Sequence, residues 1–80
     1  MQHDIDFINN TPATVDYTVQ ADKMWDEGID DFADVLTEQF VNEYALQRVD
    51  ATNIGGLIVY TQLDTVVAVY DYEMHVGWVV

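Results

Sequence analysis

Leu57-Ile58-Val59-Tyr60-Thr61-Gln62-Leu63-Asp64-Thr65-Val66-Val67-Ala68-Val69-Tyr70-Asp71-Tyr72 is the stretch that decides the fold of this 80-residue chain. β-Branched and aromatic residues fill both of its halves, and such residues suit a pleated, half-buried surface. Leu57 to Gln62 and Thr65 to Tyr72 therefore read as two strands, with Leu63-Asp64 as the turn between them. In the second strand one alternation carries Val67, Val69 and Asp71 and the other Val66, Ala68, Tyr70 and Tyr72, so both of its faces are at least partly apolar.

Downstream, Val76 to Val80 with Gly77 and Trp78 reads as a third short strand or as the tail of the second one bent at a bulge. Upstream, Asp50, Asn53, Gly55 and Gly56 mark a linker. Before it the period becomes helical from Asp22 to about Arg48, where Trp25, Ile29, Phe32, Leu36, Phe40 and Tyr44 form one apolar stripe. Asp22 is the expected N-cap; Asp26 is the alternative, which Gly28 favours because a glycine inside a helix costs up to about 1 kcal/mol relative to Ala. At the start of the chain Ile5 and Phe7 alternate with Asp4 and Asp6, and Val15, Tyr17 and Val19 alternate with Asp16, Thr18 and Gln20. With Asn9-Asn10-Thr11-Pro12 between them, residues 3 to 20 read as a β-hairpin. The order ββαββ, with or without a further C-terminal strand, predicts one α+β domain over residues 1–80. Its antiparallel sheet has four to five strands, and one amphipathic helix packs on one face.

Composition narrows the function. Fifteen acidic residues face two basic ones, Lys23 and Arg48, for a formal charge of -13, while half of the residues are apolar. High charge signals disorder only when hydrophobicity is low, so a folded globule with a charged skin is expected. Cysteine is absent, which excludes a disulfide framework and a thiolate metal site. Serine is absent too, there is one lysine and no Gly-rich phosphate loop, so most nucleophiles and oxyanion donors are missing and no enzyme is expected. Asp26-Glu27-Gly28-Ile29-Asp30-Asp31 lacks the register of a calcium loop, and His3 and His75 stand near opposite ends of the chain; neither a metal nor another cofactor is expected. Met1-Gln2-His3-Asp4 has no basic leader region and no apolar run follows it, which predicts a soluble cytoplasmic protein, in the host cytoplasm if viral. Direct binding to nucleic acid or to an anionic membrane is disfavoured, since both require Lys and Arg.

On the predicted helix Asp26, Glu27, Asp30, Asp31, Asp34 and Glu38 fall opposite the apolar stripe. Glu27/Asp31, Asp30/Asp34 and Asp34/Glu38 are like-charged pairs four apart, each destabilising by a few tenths of a kcal/mol, so local stability did not set this face. Consecutive helical turns would place these carboxylates about 5 to 6 Å apart along the axis, similar to the spacing of phosphates along one strand. The expected function is thus a non-enzymatic acidic inhibitor whose Glu27, Asp30, Asp31, Asp34 and Glu38, assisted by Asp4, Asp6 and Asp16, mimic nucleic-acid phosphates. Its partner would be the basic groove of a nucleic-acid-binding protein. Size, charge and the lack of catalytic equipment match the physical profile of small anti-restriction and anti-CRISPR inhibitors from phages or mobile elements.

The alternative expectation is a small structural or assembly subunit. A single helix covers one sheet face, so Tyr70, Tyr72 and Trp78 on the uncovered face or last strand edge could join a second copy into a homodimer. Its acidity would then reflect a high-salt environment.

Overall fold

A computed structural model describes residues 6–80. A short 3-10 helix, Asp6–Asn9, is followed by β1 (Val15–Asp16), α1 (Thr18–Asp26), α2 (Phe32–Glu43), β2 (Asp50–Ile54), β3 (Leu57–Gln62), β4 (Thr65–Asp71) and β5 (Val76–Val79). The five strands form one antiparallel sheet in the order β1-β5-β4-β3-β2. The α+β class with an antiparallel sheet is as the sequence predicts; the element order is not.

The β3–β4 hairpin turns at Leu63-Asp64, whose φ angles of 52° and 63° are both left-handed, as a two-residue hairpin turn requires. Pairing steps from Tyr60–Ala68 to Thr61–Val66, which leaves Val67 as an extra residue in a bulge. Val67 consequently packs against the same core as Ala68. This is why both alternations of the strand look apolar. The C-terminal strand forms as β5, linked to β4 by a loop in which Asp71 Oδ1 accepts from the Glu73 and Met74 N–H groups.

The expected linker containing Asp50, Asn53, Gly55 and Gly56 is instead β2 and its turn. Gly55 and Gly56, at φ 51° and 88°, make the tight connection to β3. Every β2 residue is exposed, so this edge strand is held by backbone pairing and carries no apolar alternation to betray it.

The expected N-terminal hairpin does not form. Residues 3 to 5 of it lie outside the described residues, Asp6 to Asn9 are helical, and the second predicted strand shrinks to Val15–Asp16 before α1 begins at Thr18. Two periods compete here: Val15, Tyr17 and Val19 alternate, but Tyr17, Ala21 and Met24 also recur at helical spacing. Helix wins because it buries Tyr17 and Ala21, and Val19 is left 81% exposed. Asp16 stabilises the start by accepting from the Thr18 N–H at 2.9 Å and the Thr18 hydroxyl at 2.7 Å.

The expected single helix is two helices, and Gly28 is the stop between them. At φ 75° it puts the chain in the left-handed region, the Gly28 N–H donates to the Trp25 carbonyl, and the Ile29 N–H donates to the Met24 carbonyl. That pair of bonds is the Schellman ending, for which glycine is the favoured residue. The phase of α2 is therefore independent of α1, and Trp25, placed in the apolar stripe by an unbroken period, is 70% exposed. The same ending closes α2: the Leu46 N–H donates to the Val41 carbonyl, but the left-handed position belongs to Ala45 at φ 55°. An Ala45→Gly substitution is expected to raise stability by about 1 kcal/mol, relieving the Cβ–carbonyl conflict, as a higher urea midpoint at unchanged slope.

Tyr17, Ala21, Leu36, Phe40, Leu46, Tyr60, Ala68 and Tyr70 form the core between the helices and the sheet. Gly77 lets the helix layer approach: a Cβ there would stand 2.5 Å from Phe40 Cε1. Val59 and Val69, paired across the β3–β4 hairpin with side chains directed to the opposite face, are also fully buried. On that face Trp78 is the register neighbour of Val69, and its indole N–H donates to the Thr11 carbonyl. Thr14 flanks the same strand, its N–H donating to the Gly77 carbonyl and its hydroxyl accepting from the Val79 N–H. The edge of the last strand is thus occupied by β1 and the segment before it, and β5 is an interior strand, not a docking edge.

Candidate functional site

From Asp16 onward every acidic residue is exposed except Asp71, which is partly buried. Asp26 ends α1, Glu27 is its C-cap, Asp30 lies in the connection, Asp31 holds the N-cap position of α2, and Asp34 and Glu38 lie within α2. The six carboxylates expected on one straight helix face are therefore distributed around a helix–helix junction. Regular spacing of about one turn survives for Asp34 and Glu38 alone, four residues apart on α2.

Electrostatics differ on the two sides of that junction. Asp31 and Asp34 stand at the positive end of the α2 dipole, where carboxylates are favoured, whereas Asp26 and Glu27 stand at the negative end of α1, where they are disfavoured. Lys23 is the one basic residue in the last turn of α1. The acidity of this segment is thus partly opposed by the helix that carries it.

Asp16 has a structural task. The Thr18 hydroxyl, and after it the Thr18 N–H, hold its carboxyl below the usual aspartate range. Of the other expected partner-binding residues at the N-terminus, Asp6 opens the 3-10 helix and Asp4 lies outside the described residues. Asp6 and Asp16 therefore do not share the outer face of a hairpin.

Tyr70, expected to contact a second copy, is fully buried with its ring centre 5.0 Å from Phe40 and 6.2 Å from Tyr17. The bulge-shifted strand turns it toward the helices, so it is a core residue. Its hydroxyl is buried with no hydrogen-bond partner, and burial, with smaller contributions from Tyr60 and Asp71, pushes it up to about 12. Tyr17 is raised as well, first by burial and then by donating to the Glu43 carboxylate. A raised pKa means that the neutral phenol is favoured in the fold. That stability is complete below the ordinary value of 10 and drains away as pH climbs from 10 toward 12 and beyond. The melting temperature is expected to fall across that window. Tyr70→Phe, which removes an unpartnered buried hydroxyl, is expected to lessen the fall and to gain about 1 kcal/mol at neutral pH. Tyr72 is 36% exposed, and Trp78 is half-buried with its indole N–H engaged.

Among the described residues, hollows on the helix layer are lined by acidic residues. One of about 550 Å³ is lined by Val35, Glu38, Gln39, Asn42 and Glu43. A second, of about 210 Å³, joins Asp34, Ala33 and Thr37 of α2 to Asn53, Ile58 and Tyr72. A third, of about 510 Å³, lies between α1, the start of α2 and the β4–β5 loop, where Asp22, Trp25, Phe32, Glu73, Met74 and His75 contribute. Sequence reasoning misses this last group because an unbroken helical period puts Trp25 in the core; Gly28, read as a helix stop, is the signal that frees it.

Among the described residues no group of three or more His, Asp or Glu side chains is placed to hold a metal ion, and no helix is long and apolar enough to cross a membrane. The chain matches no protein-family model, no curated protein and no solved structure.

Proposed function

We propose that this chain is a non-catalytic acidic protein that occupies the basic groove of a nucleic-acid-binding protein, its carboxylates standing in for phosphates. One observation carries the reading. Between Lys23 and Arg48 there is no cation, yet Asp26, Glu27, Asp30, Asp31, Asp34 and Glu38 are all exposed around one helix junction. Solubility of a small domain asks for a net charge of about 2 to 8, so -13 exceeds that need. A surface of one sign steers an oppositely charged partner, raising the association rate and making it fall with salt. A nuclease or effector of a defence system against foreign DNA is the kind of partner such a decoy would serve.

The test uses the chain immobilised in low-salt buffer against nuclease-treated cell lysate. The expected result is capture of a basic protein that is released by added duplex DNA and by rising salt. Capture that duplex DNA does not displace would overturn the reading.

A further inference from the structure

The groove formed by α1, the start of α2 and the β4–β5 loop has a composition unlike the rest of the acidic surface. Trp25 is 70% exposed and Met74 64% exposed, and the two stand on the same groove. Trp25 meets Phe32 edge-on at 6.1 Å, and Phe32 meets His75 at 5.4 Å, so a row of rings runs along the groove. Asp22, exposed on α1, supplies a carboxylate to the groove, whereas Glu73 borders it from the β4–β5 loop with its own carboxylate lying against Gly56 of the β2–β3 turn. Neither Lys23 nor Arg48 is among the described residues that line it.

An apolar trough with a π face and a carboxylate has one best complement among protein side chains. An aliphatic anchor would strip water from Asp22 without repaying it. Lysine offers a strongly hydrated point charge. A guanidinium is planar and weakly hydrated, stacks on an indole, pairs with carboxylates through its fork of N–H donors, and lays its methylene stem along apolar surface.

We propose that this groove receives an arginine side chain of the partner, stacked on Trp25 and paired with Asp22. The proposal rests on the reading that the partner is a basic protein and adds the chemical group it inserts. Bulk negative charge would then supply attraction, and the groove would supply a preference between the two basic residues.

Hexa-arginine and hexalysine, titrated separately at matched ionic strength and followed by the indole N–H signals of Trp25 and Trp78 and the methyl signal of Met74, test it. Hexa-arginine is expected to bind about two- to fivefold more tightly than hexalysine, the ratio that an exposed cation–π contact gives. The shifts should centre on Trp25 and Met74, leaving Trp78 still. Trp25→Leu, which keeps apolar bulk at an exposed site but has no π face, is expected to bring the two peptides to equal affinity. Equal affinity for the parent chain, or a preference unchanged in Trp25→Leu, overturns the arginine groove and leaves the general acidic reading standing. Failure of both peptides to bind overturns both. A self-associated species in sedimentation that Arg48→Lys dissolves would make the occupant a second copy, and would also overturn the proposal.

Discussion

Phe40→Ala is expected to leave the chain largely unfolded in dilute buffer. Phe40 is fully buried, and its ring lies 5.0 Å from Tyr70, 5.2 Å from Tyr44 and 6.0 Å from Tyr60, joining α2 to β3 and β4. Truncating a buried Phe to Ala costs about 3 to 5 kcal/mol through lost transfer energy and the cavity left behind. A native domain has only about 0.05 to 0.15 kcal/mol of stability per residue, and repulsion within a chain of charge -13 works against it. The far-UV circular dichroism of the variant should resemble that of the parent in urea. A cooperative transition at the parental urea midpoint would remove Phe40 from this role. Gly77→Ala approaches the same contact from the sheet side, since its methyl group would intrude on Phe40 Cε1. It is expected to cost about 1 to 3 kcal/mol by overpacking. Phe40→Leu in the same chain should recover part of that loss, a non-additivity that residues in direct contact produce.

The combined change Asp30→Lys, Asp31→Lys and Asp34→Lys is expected to abolish capture of the basic partner while the fold survives. Each substitution moves the charge by two units, so three take it from -13 to about -7. All three side chains are exposed at the connection and first turn of α2, away from Leu36 and Phe40, so no core contact is lost. Two effects oppose each other in stability. Lysines at Asp31 and Asp34 oppose the α2 dipole by about 0.3 to 1 kcal/mol apiece, while relief of like-charge repulsion and new pairing of the second of them with Glu38, four residues on in α2, offset it. Stability within about 1 kcal/mol of the parent is therefore expected, whereas affinity should fall at least tenfold. Parental affinity in the triple variant would reduce this acidic segment to solvent-facing surface. The parent should also fold in dilute buffer; a requirement for molar salt would assign the acidity to salt adaptation instead of a partner.

Legibility of the fold tracks the source of each element's stability. The β3–β4 hairpin and β5 are readable because their side chains are buried and their β-branched character is strong. β2 is not, since Asp50 to Ile54 are all exposed and pair with β3 through the backbone. At Val15 to Val19 two periods fit the same residues, and only the burial of Tyr17 beneath Glu43 and against Tyr70 chooses between them. Gly28 carries an ambiguous message: a costly interior glycine in one long helix, or the C-terminal stop of a first short one. The candidate site suffers the same uncertainty, because its geometry depends on that stop.

By itself the sequence determined the α+β class, the central hairpin, the charge and its concentration between Lys23 and Arg48, since these depend on composition and short-range periodicity. Tertiary structure alone decided that the carboxylates surround a helix junction instead of lining one rod. It also decided that Tyr70 is interior and Trp25 is exposed. The physical reason is that a left-handed residue at Gly28 and one extra residue at Val67 each reset the phase of the neighbouring element. Which face a side chain then takes is fixed by the burial that the whole chain can achieve, not by its neighbours in sequence.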